Sequence, residues 1–326
     1  MNDLVPLGVL VPLWRDQPTT PPAATPLGAA ALAIPGARVI FGGRAEGGLL
    51  LGHEATPEGW RPGALPVAAV WDRFPSQSQP QAYADLLAAL PDALVGSPPA
   101  LMALCRDKIA TQRALEAGGI ELPELVDDPT RFADALARWP DGGFAKPVHG
   151  SLGRGVLRVG AGDPVPARGE GAVPGQLDAL LLQRAVRPPR GWAGVSVRAL
   201  VQREAGAWVL APAVARRSVD EPVVNVAKGA EVAPALDVLD ARTNQEIARL
   251  SLAIAAILGE DPLVLELGVD LVVDEDGRPW PIEVNGRPRG HLEAVAKRWP
   301  DRFAAAHVEA CARPLRALLH VAQWPR

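Results

Sequence analysis

Cysteine, methionine and tyrosine are scarce in this 326-residue chain, with two, two and one respectively, and all aromatics together make up 5%. Two cysteines, Cys105 and Cys311, cannot build a disulfide framework. Both fall in stretches predicted to be helical and read as small buried residues of a reducing compartment. Neither charge sign is in excess, and a net charge of −4 gives no basic footprint for a nucleic-acid partner. No apolar run reaches membrane-spanning length, because the best candidate, Leu250–Leu258, is interrupted by Gly259-Glu260-Asp261-Pro262. The opening MNDLVPLGVLVPLW lacks a basic n-region and resembles a first strand more than a signal peptide. A cytoplasmic protein with no membrane partner is the expectation. There is no internal repeat, no Gly-x-Gly-x-x-Gly at a strand-to-helix turn, and no Gly-x-x-x-x-Gly-Lys-Ser/Thr.

What is present is 48% hydrophobic content, enough for two or three domains with substantial cores. Residues 1–100 read as an α/β unit with apolar strands at Gly8–Val11, Arg38–Phe41, Val67–Trp71 and Ala93–Val95. The Pro- and Gly-rich stretches Gln17–Gly28 and Thr56–Pro66 read as links. A second segment, 101–185, opens with Asp107 capping a helix to about Ala117, then Asp128-Pro129 opening another. It continues with Phe144-Ala145-Lys146-Pro147, a glycine-rich loop, the strand Val156–Val159, and Gly160–Gly175 as surface loop. The third segment, 186–326, carries strands at Val195–Arg203 and Ala207–Ala215, a long helix at Asp240–Leu258, a hairpin, and a terminal helix from Asp301 to about Leu319.

That hairpin, within VLELGVDLVVDEDGRPWPIEVNGRPRG at Val264–Gly290, holds the densest chemistry. A turn of two or four residues centred on Asp276-Gly277 puts Asp270 opposite Glu283, on one face. Asn285 follows two residues later on that face. Three converging oxygen donors suit a hard cation such as Mg²⁺ carrying phosphates. The plainer reading is the solvent face of an antiparallel strand. Leu265, Leu267, Val269 and Leu271 take the core face, leaving Glu266, Gly268 and Asp270 toward a second layer or a cleft.

Upstream, Gly150-Ser151-Leu152-Gly153-Arg154-Gly155 lies between two strands and follows Lys146. Its glycines let backbone N–H groups approach an anion, and the lysine adds a point charge. A flexible hairpin loop is the competing account, and the carboxylate site downstream favours phosphate.

These clusters, in order, resemble the ATP-grasp superfamily, and within it the YheC/YheD-like, endospore-coat-associated group. The matching elements are Arg106-Asp107-Lys108, Phe144-Ala145-Lys146-Pro147 with its loop, Leu182-Gln183-Arg184-Ala185-Val186, Val197-Arg198, Ala215-Arg216 with Val224-Asn225 and Gly229, and Gly268-Val269-Asp270 with Glu283-Val284-Asn285. The resemblance implies an α/β protein, α+β in its catalytic part, in which an N-terminal pre-ATP-grasp domain precedes the ATP-grasp fold. It implies ATP and two Mg²⁺ ions as cofactors. Lys108 and Lys146 would hold phosphates, and Ser151, Gly153 and Gly155 would belong to the covering loop. Gln183 and Val186 would meet the adenine, while Asp270, Glu283 and Asn285 would bind metal. Arg198 and Arg216 would face the triphosphate or an acyl phosphate. Arg216 and Arg217 point oppositely on a strand, so only one reaches the site, and the resemblance favours Arg216.

The implied activity is a carboxylate–amine ligase, forming an amide or peptide bond through an acyl phosphate. The same fold also admits an ATP-dependent kinase of a small hydroxyl compound, or a nucleotide-binding coat or assembly protein without turnover. The sequence departs from the family pattern after the hinge, where Arg187-Pro188-Pro189-Arg190 replaces the usual ribose-binding acid. It departs again in Gly286-Arg287-Pro288-Arg289-Gly290, where Arg287 and Arg289 suggest an anionic acceptor held bidentately. The carboxylate, the amine and the oligomeric state, a homodimer included, stay open.

Overall fold

Parallel strands need crossovers, and the first hundred residues supply them. A computed structural model describes residues 4–12, 18–76, 78–150, 153–171, 177–224, 229–288 and 291–324. Its first unit runs β1 (Val5–Leu10), α1 (Pro26–Leu32), β2 (Ala37–Glu46), β3 (Leu49–Thr56), β4 (Gly59–Leu65), β5 (Ala69–Asp72), α2 (Pro80–Ala88) and β6 (Leu94–Gly96). The sheet order is β4-β3-β2-β1-β5-β6, parallel from β2 to β6 and an antiparallel meander from β2 to β4. Thr56–Pro66, read from sequence as a link, is largely the strand β4. Pro62 is tolerated there because β4 is the edge of the sheet, where a missing N–H breaks no inner ladder.

Two helices follow, α3 (Pro99–Arg106) and α4 (Lys108–Ala117), and Asp107 caps the second by accepting from the N–H groups of Ile109 and Ala110. The second unit contains β7 (Leu125–Val126), α5 (Phe132–Arg138), β8 (Gly143–Pro147), β9 (Leu157–Val159), β10 (Arg168–Glu170) and β11 (Leu177–Arg184). Its strands run β10-β11-β8-β9, with β7 also on β11. Gly160–Gly175 is therefore not loop throughout, since Arg168–Glu170 pairs with β11 at the sheet edge.

The third unit is β12 (Gly194–Glu204), β13 (Ala207–Leu210), β14 (Val214–Ser218), β15 (Glu231–Pro234), α6 (Ala235–Val238), α7 (Ala241–Leu258), β16 (Glu266–Val273) and β17 (Pro279–Asn285), then α8 (Leu292–Arg298) and α9 (Pro300–Ala322). Its order is β15-β14-β12-β16-β17, with β13 on β12. The strand expected over Ala207–Ala215 is broken at Ala211-Pro212-Ala213, and β14 starts beyond it. Asp240 caps α7, whose Ile247, Leu250, Ile254 and Leu258 bury one stripe against Leu267, Val269, Leu271 and Val273 of β16. The same core takes Leu101, Cys105, Leu115 and Ile120, so α3 and α4 pack with the third sheet although they precede the second. Leu265, expected in this core, packs instead with Leu315 and Leu318 of α9 beside the first sheet.

α9 contains Pro314, which has no N–H for the carbonyl four residues earlier. Buried Gln202 donates to that carbonyl, Ala310 O, at 2.6 Å, and to Glu266 Oε2 at 3.1 Å. Among the described residues no helix is long and apolar enough to cross a membrane.

Candidate active site

Asp270 does lie opposite Glu283, but by another route than the turn arithmetic. The hairpin closes with Val273 opposite Pro279, so five residues, Asp274–Arg278, form the loop. That odd loop shifts the pairing by one, and a bulge at Ile282 shifts it back, because Leu271 faces Pro281 while Asp270 faces Glu283. Without the bulge, Glu283 would turn to the other face.

Around Asp270 the sheet builds a dense cluster. Arg198, its direct partner on β12, donates Nε and NH2 to the two carboxylate oxygens, both at 2.7 Å. Arg216 on β14 donates to Oδ1 at 2.8 Å, and Asn285 Nδ2 to Oδ2 at 3.0 Å. Burial alone would raise the Asp270 carboxyl, but Arg198 and Arg216 outweigh it and hold the group below the usual carboxylate range. Arg217 points to the opposite face, pairs with Glu231 at 2.9 Å and stacks on Trp192. Arg216 is therefore the member of the pair that reaches the site.

Glu283 is the contrasting carboxylate. Burial pushes it up, Asp270 pushes the same way, and Lys108, Arg198 and Lys146 offset this only in part. No hydrogen bond or ion pair within 4.0 Å is found for it among the described residues. A half-buried carboxylate held short of a counter-charge, an amide whose oxygen is left over once its nitrogen faces Asp270, and Asp270 itself form a hard-oxygen donor set that fits Mg²⁺.

Lys146 on β8 and Lys108 at the first turn of α4 approach this floor from the second unit's side. Lys108 Nζ donates to Gly150 O at 2.5 Å, and its backbone N–H meets Val148 O at 3.3 Å, which ties α4 to the glycine loop. Burial lowers its pKa against Glu283, Asp178 and Asp107. Burial takes Lys146 down to about 8, with Glu283 opposing and Lys108 adding. In the loop, Gly153 and Gly155 have φ of 69° and 65°, and a Cβ at Gly155 would lie 2.4 Å from Glu170 O. Ser151 and Arg289, like Asn225, lie outside the described residues.

Lys108, Lys146, Gly153, Arg198, Arg216, Asp270, Glu283 and Asn285 line one cleft of about 1350 Å³, larger than the roughly 300–1,000 Å³ of a typical small-ligand pocket. Val186, half-buried, borders it just beyond β11. Gln183 also lines the cleft, but it is only 5% exposed and its amide oxygen accepts from Lys146 Nζ. Arg287 corrects the sequence reading. It borders the cleft, but its guanidinium donates to Asp72 Oδ2, Tyr83 OH, Phe74 O and Ser76 Oγ at 2.5–3.0 Å, so these donors are committed to the first unit. Arg187 is likewise engaged, by Asp141 at 2.9 Å and Glu275 at 3.4 Å.

Sequence reasoning left several cleft residues, His291 among them, without a role. His291 borders the cleft and is lowered to about 4 by burial and by Arg216 and Arg198. Met102 and Arg106 of α3, and Phe74 and Tyr83 of the first unit, form another wall. Apart from Arg106, which precedes Asp107-Lys108 in the first matching element, none belongs to a local motif, and the docking of α3 and of the first unit brings this wall in.

Residues 178–302, less than half of the chain, match the family model described as YheC/D like ATP-grasp. No curated protein matches the chain. Among solved structures it is similar to VanG D-Ala:D-Ser ligase from Enterococcus faecalis, at TM-score 0.62 and 13% identity, covering 98% of this chain and 100% of that one. It is also similar to N5-carboxyaminoimidazole synthase from Aspergillus clavatus, solved with ADP and 5-aminoimidazole ribonucleotide, at TM-score 0.59 and 16% identity, covering 98% and 78%. A putative ATP-grasp superfamily protein from Archaeoglobus fulgidus aligns at TM-score 0.51 and 14% identity, covering 90% and 84%.

Proposed function

We propose, from an ATP-grasp fold whose residues 178–302 are YheC/D-like, that this chain is an ATP- and Mg²⁺-dependent ligase joining a carboxylate to an amine, with release of ADP. The observation that carries the reading is convergence: two lysines from one side of a cleft and Asp270, Glu283 and Asn285 from the other share one space.

In that reading Lys108, Lys146 and the loop backbone meet the triphosphate oxygens, and Asp270, Glu283 and Asn285 hold Mg²⁺. The ion supplies neutralising charge beside the phosphates. A substrate carboxylate oxygen attacks the γ-phosphorus, and the bond to the β–γ bridging oxygen breaks, giving an acyl phosphate and ADP. An amine nitrogen then attacks the acyl carbon, phosphate departs, and the amine loses a proton. Arg198 and Arg216 stand where charge grows on the transferring phosphoryl, a contribution worth about 10²–10³ in rate per donor in comparable sites. The first unit, with Phe74 and Tyr83, and α3 wall the acceptor end. A cytoplasmic setting, with ATP at hand, accords with this chemistry.

A screen of amino acids and short peptides for ADP release, with mass detection of product, tests the reading. Release that requires both carboxylate and amine and yields an amide supports it. A phosphate ester would identify a kinase, and nucleotide binding without ADP release would point to an assembly role. Glu283→Gln should lower Mg²⁺-dependent turnover by at least about tenfold, and full activity in that variant would remove the metal assignment.

A further inference from the structure

Gln183 is the penultimate residue of β11, the strand that leads to the hinge, where the family resemblance would have its side chain read the adenine. Its surroundings give it a different task. Lys146 on β8 pairs with Leu181 on β11, so Gln183 is its diagonal neighbour on the same face. Lys146 Nζ lies 2.6 Å from Gln183 Oε1. An ammonium only donates, so the amide must turn its oxygen to the lysine, which fixes which way the side chain is flipped. The amide nitrogen then faces Gln112 Oε1 at 3.4 Å. Gln112 is itself held, its Nε2 donating to Glu116 Oε1 at 2.8 Å and to Pro123 O at 3.2 Å. Both polar atoms of a buried side chain are thus directed at partners inside the protein, along a chain running from α4 through Gln112 and Gln183 to Lys146. Lys146 has no carboxylate within 4.0 Å among the described residues; the charges facing it are Glu283 and Asp270 across the cleft and Lys108 beside it.

We propose that Gln183 is a positioning residue for Lys146, not a reader of the nucleobase: its amide oxygen takes one of the three ammonium donors and aims the other two at the phosphates. The inference rests on the nucleotide reading above. A lysine loses much rotamer freedom when it binds. An anchor already in place at the far end of β11 removes part of that loss before nucleotide arrives. A neutral amide does this without cancelling the positive charge that the phosphates require, which a carboxylate in its place would partly do.

The test is equilibrium binding of ADP and GDP, in the presence of Mg²⁺, to the full chain and to Gln183→Leu, Gln183→Glu, Lys146→Ala and the double variant Gln183→Leu/Lys146→Ala. Gln183→Leu should weaken ADP about tenfold while leaving the ADP-to-GDP preference unchanged, and the double variant should be no weaker than Lys146→Ala alone. Gln183→Glu, which keeps an acceptor oxygen, should hold ADP within about threefold of the parent chain. Thermal unfolding of each variant checks that it folds. If Gln183→Leu does not fold, Gln112→Leu, which frees the far end of the chain, should weaken ADP, again with base preference intact. Loss of ADP-over-GDP discrimination in Gln183→Leu, or additive effects of the two single changes, would overturn the assignment. A parent chain that binds neither nucleotide would instead bring down the nucleotide reading itself.

Discussion

Asp270 and Glu283 face each other across one strand pair, yet their electrostatic situations are opposite. Two guanidiniums and an amide hold the first, while the second has no hydrogen-bond partner among the described residues and is pushed up by burial. In the proposed reading a cation would arrive on the Glu283 side of this pair. The hairpin was legible in the sequence because it is local, but its five-residue loop and the bulge that restores the facing were not. The choice between Arg216 and Arg217 was not, because neighbouring residues on a strand take opposite faces and only the sheet says which face is the cleft. Arg216→Ala should reduce ADP release by about 10²–10³, whereas Arg217→Ala, on the Trp192 face, should stay within about threefold. Steady-state rates on the two variants separate these outcomes, and equal losses would contradict the facing assigned to them.

At the scale of elements, two irregularities do structural work. The bulge at Ile282 lets an odd-length loop coexist with Glu283 on the cleft face. Pro314 in α9 frees the Ala310 carbonyl, and Gln202 of β12 donates to it while also bonding Glu266. Glu266 in turn accepts from Trp71 Nε1 at 3.2 Å and from Arg73 NH1 at 2.9 Å. Gln202→Leu would strand a buried carbonyl and one donor contact of a buried carboxylate, and should cost about 1–3 kcal/mol in urea unfolding. A change below about 0.3 kcal/mol would show that water replaces the amide. A proline inside a helix is visible in sequence, but the side chain that answers it comes from another sheet.

For the whole molecule, the decisive contacts are those that dock the first unit on the third. Arg287 leaves the end of β17 and enters the first unit, where Asp72 is fully buried and Tyr83 completes the group. Arg287→Ala leaves that carboxylate without its counter-charge and should destabilise the chain by roughly 3–5 kcal/mol, with ADP affinity within about twofold of the parent. Calorimetric unfolding and nucleotide titration measure the two effects, and weakened ADP binding at unchanged stability would return Arg287 to the ligand side. By itself the sequence determined the local items: alternating strands, the Asp107 and Asp240 caps, the lysine before a glycine loop, and the hairpin that carries Asp270 and Glu283, all set by residues close along the chain. Tertiary structure alone decided that Arg287 is an internal clamp, that Gln183 is turned to Lys146, that β4 is an edge strand and that α3 belongs to the third core. Each of those depends on a partner far away in sequence, and periodicity carries no information about which distant surface a side chain will meet.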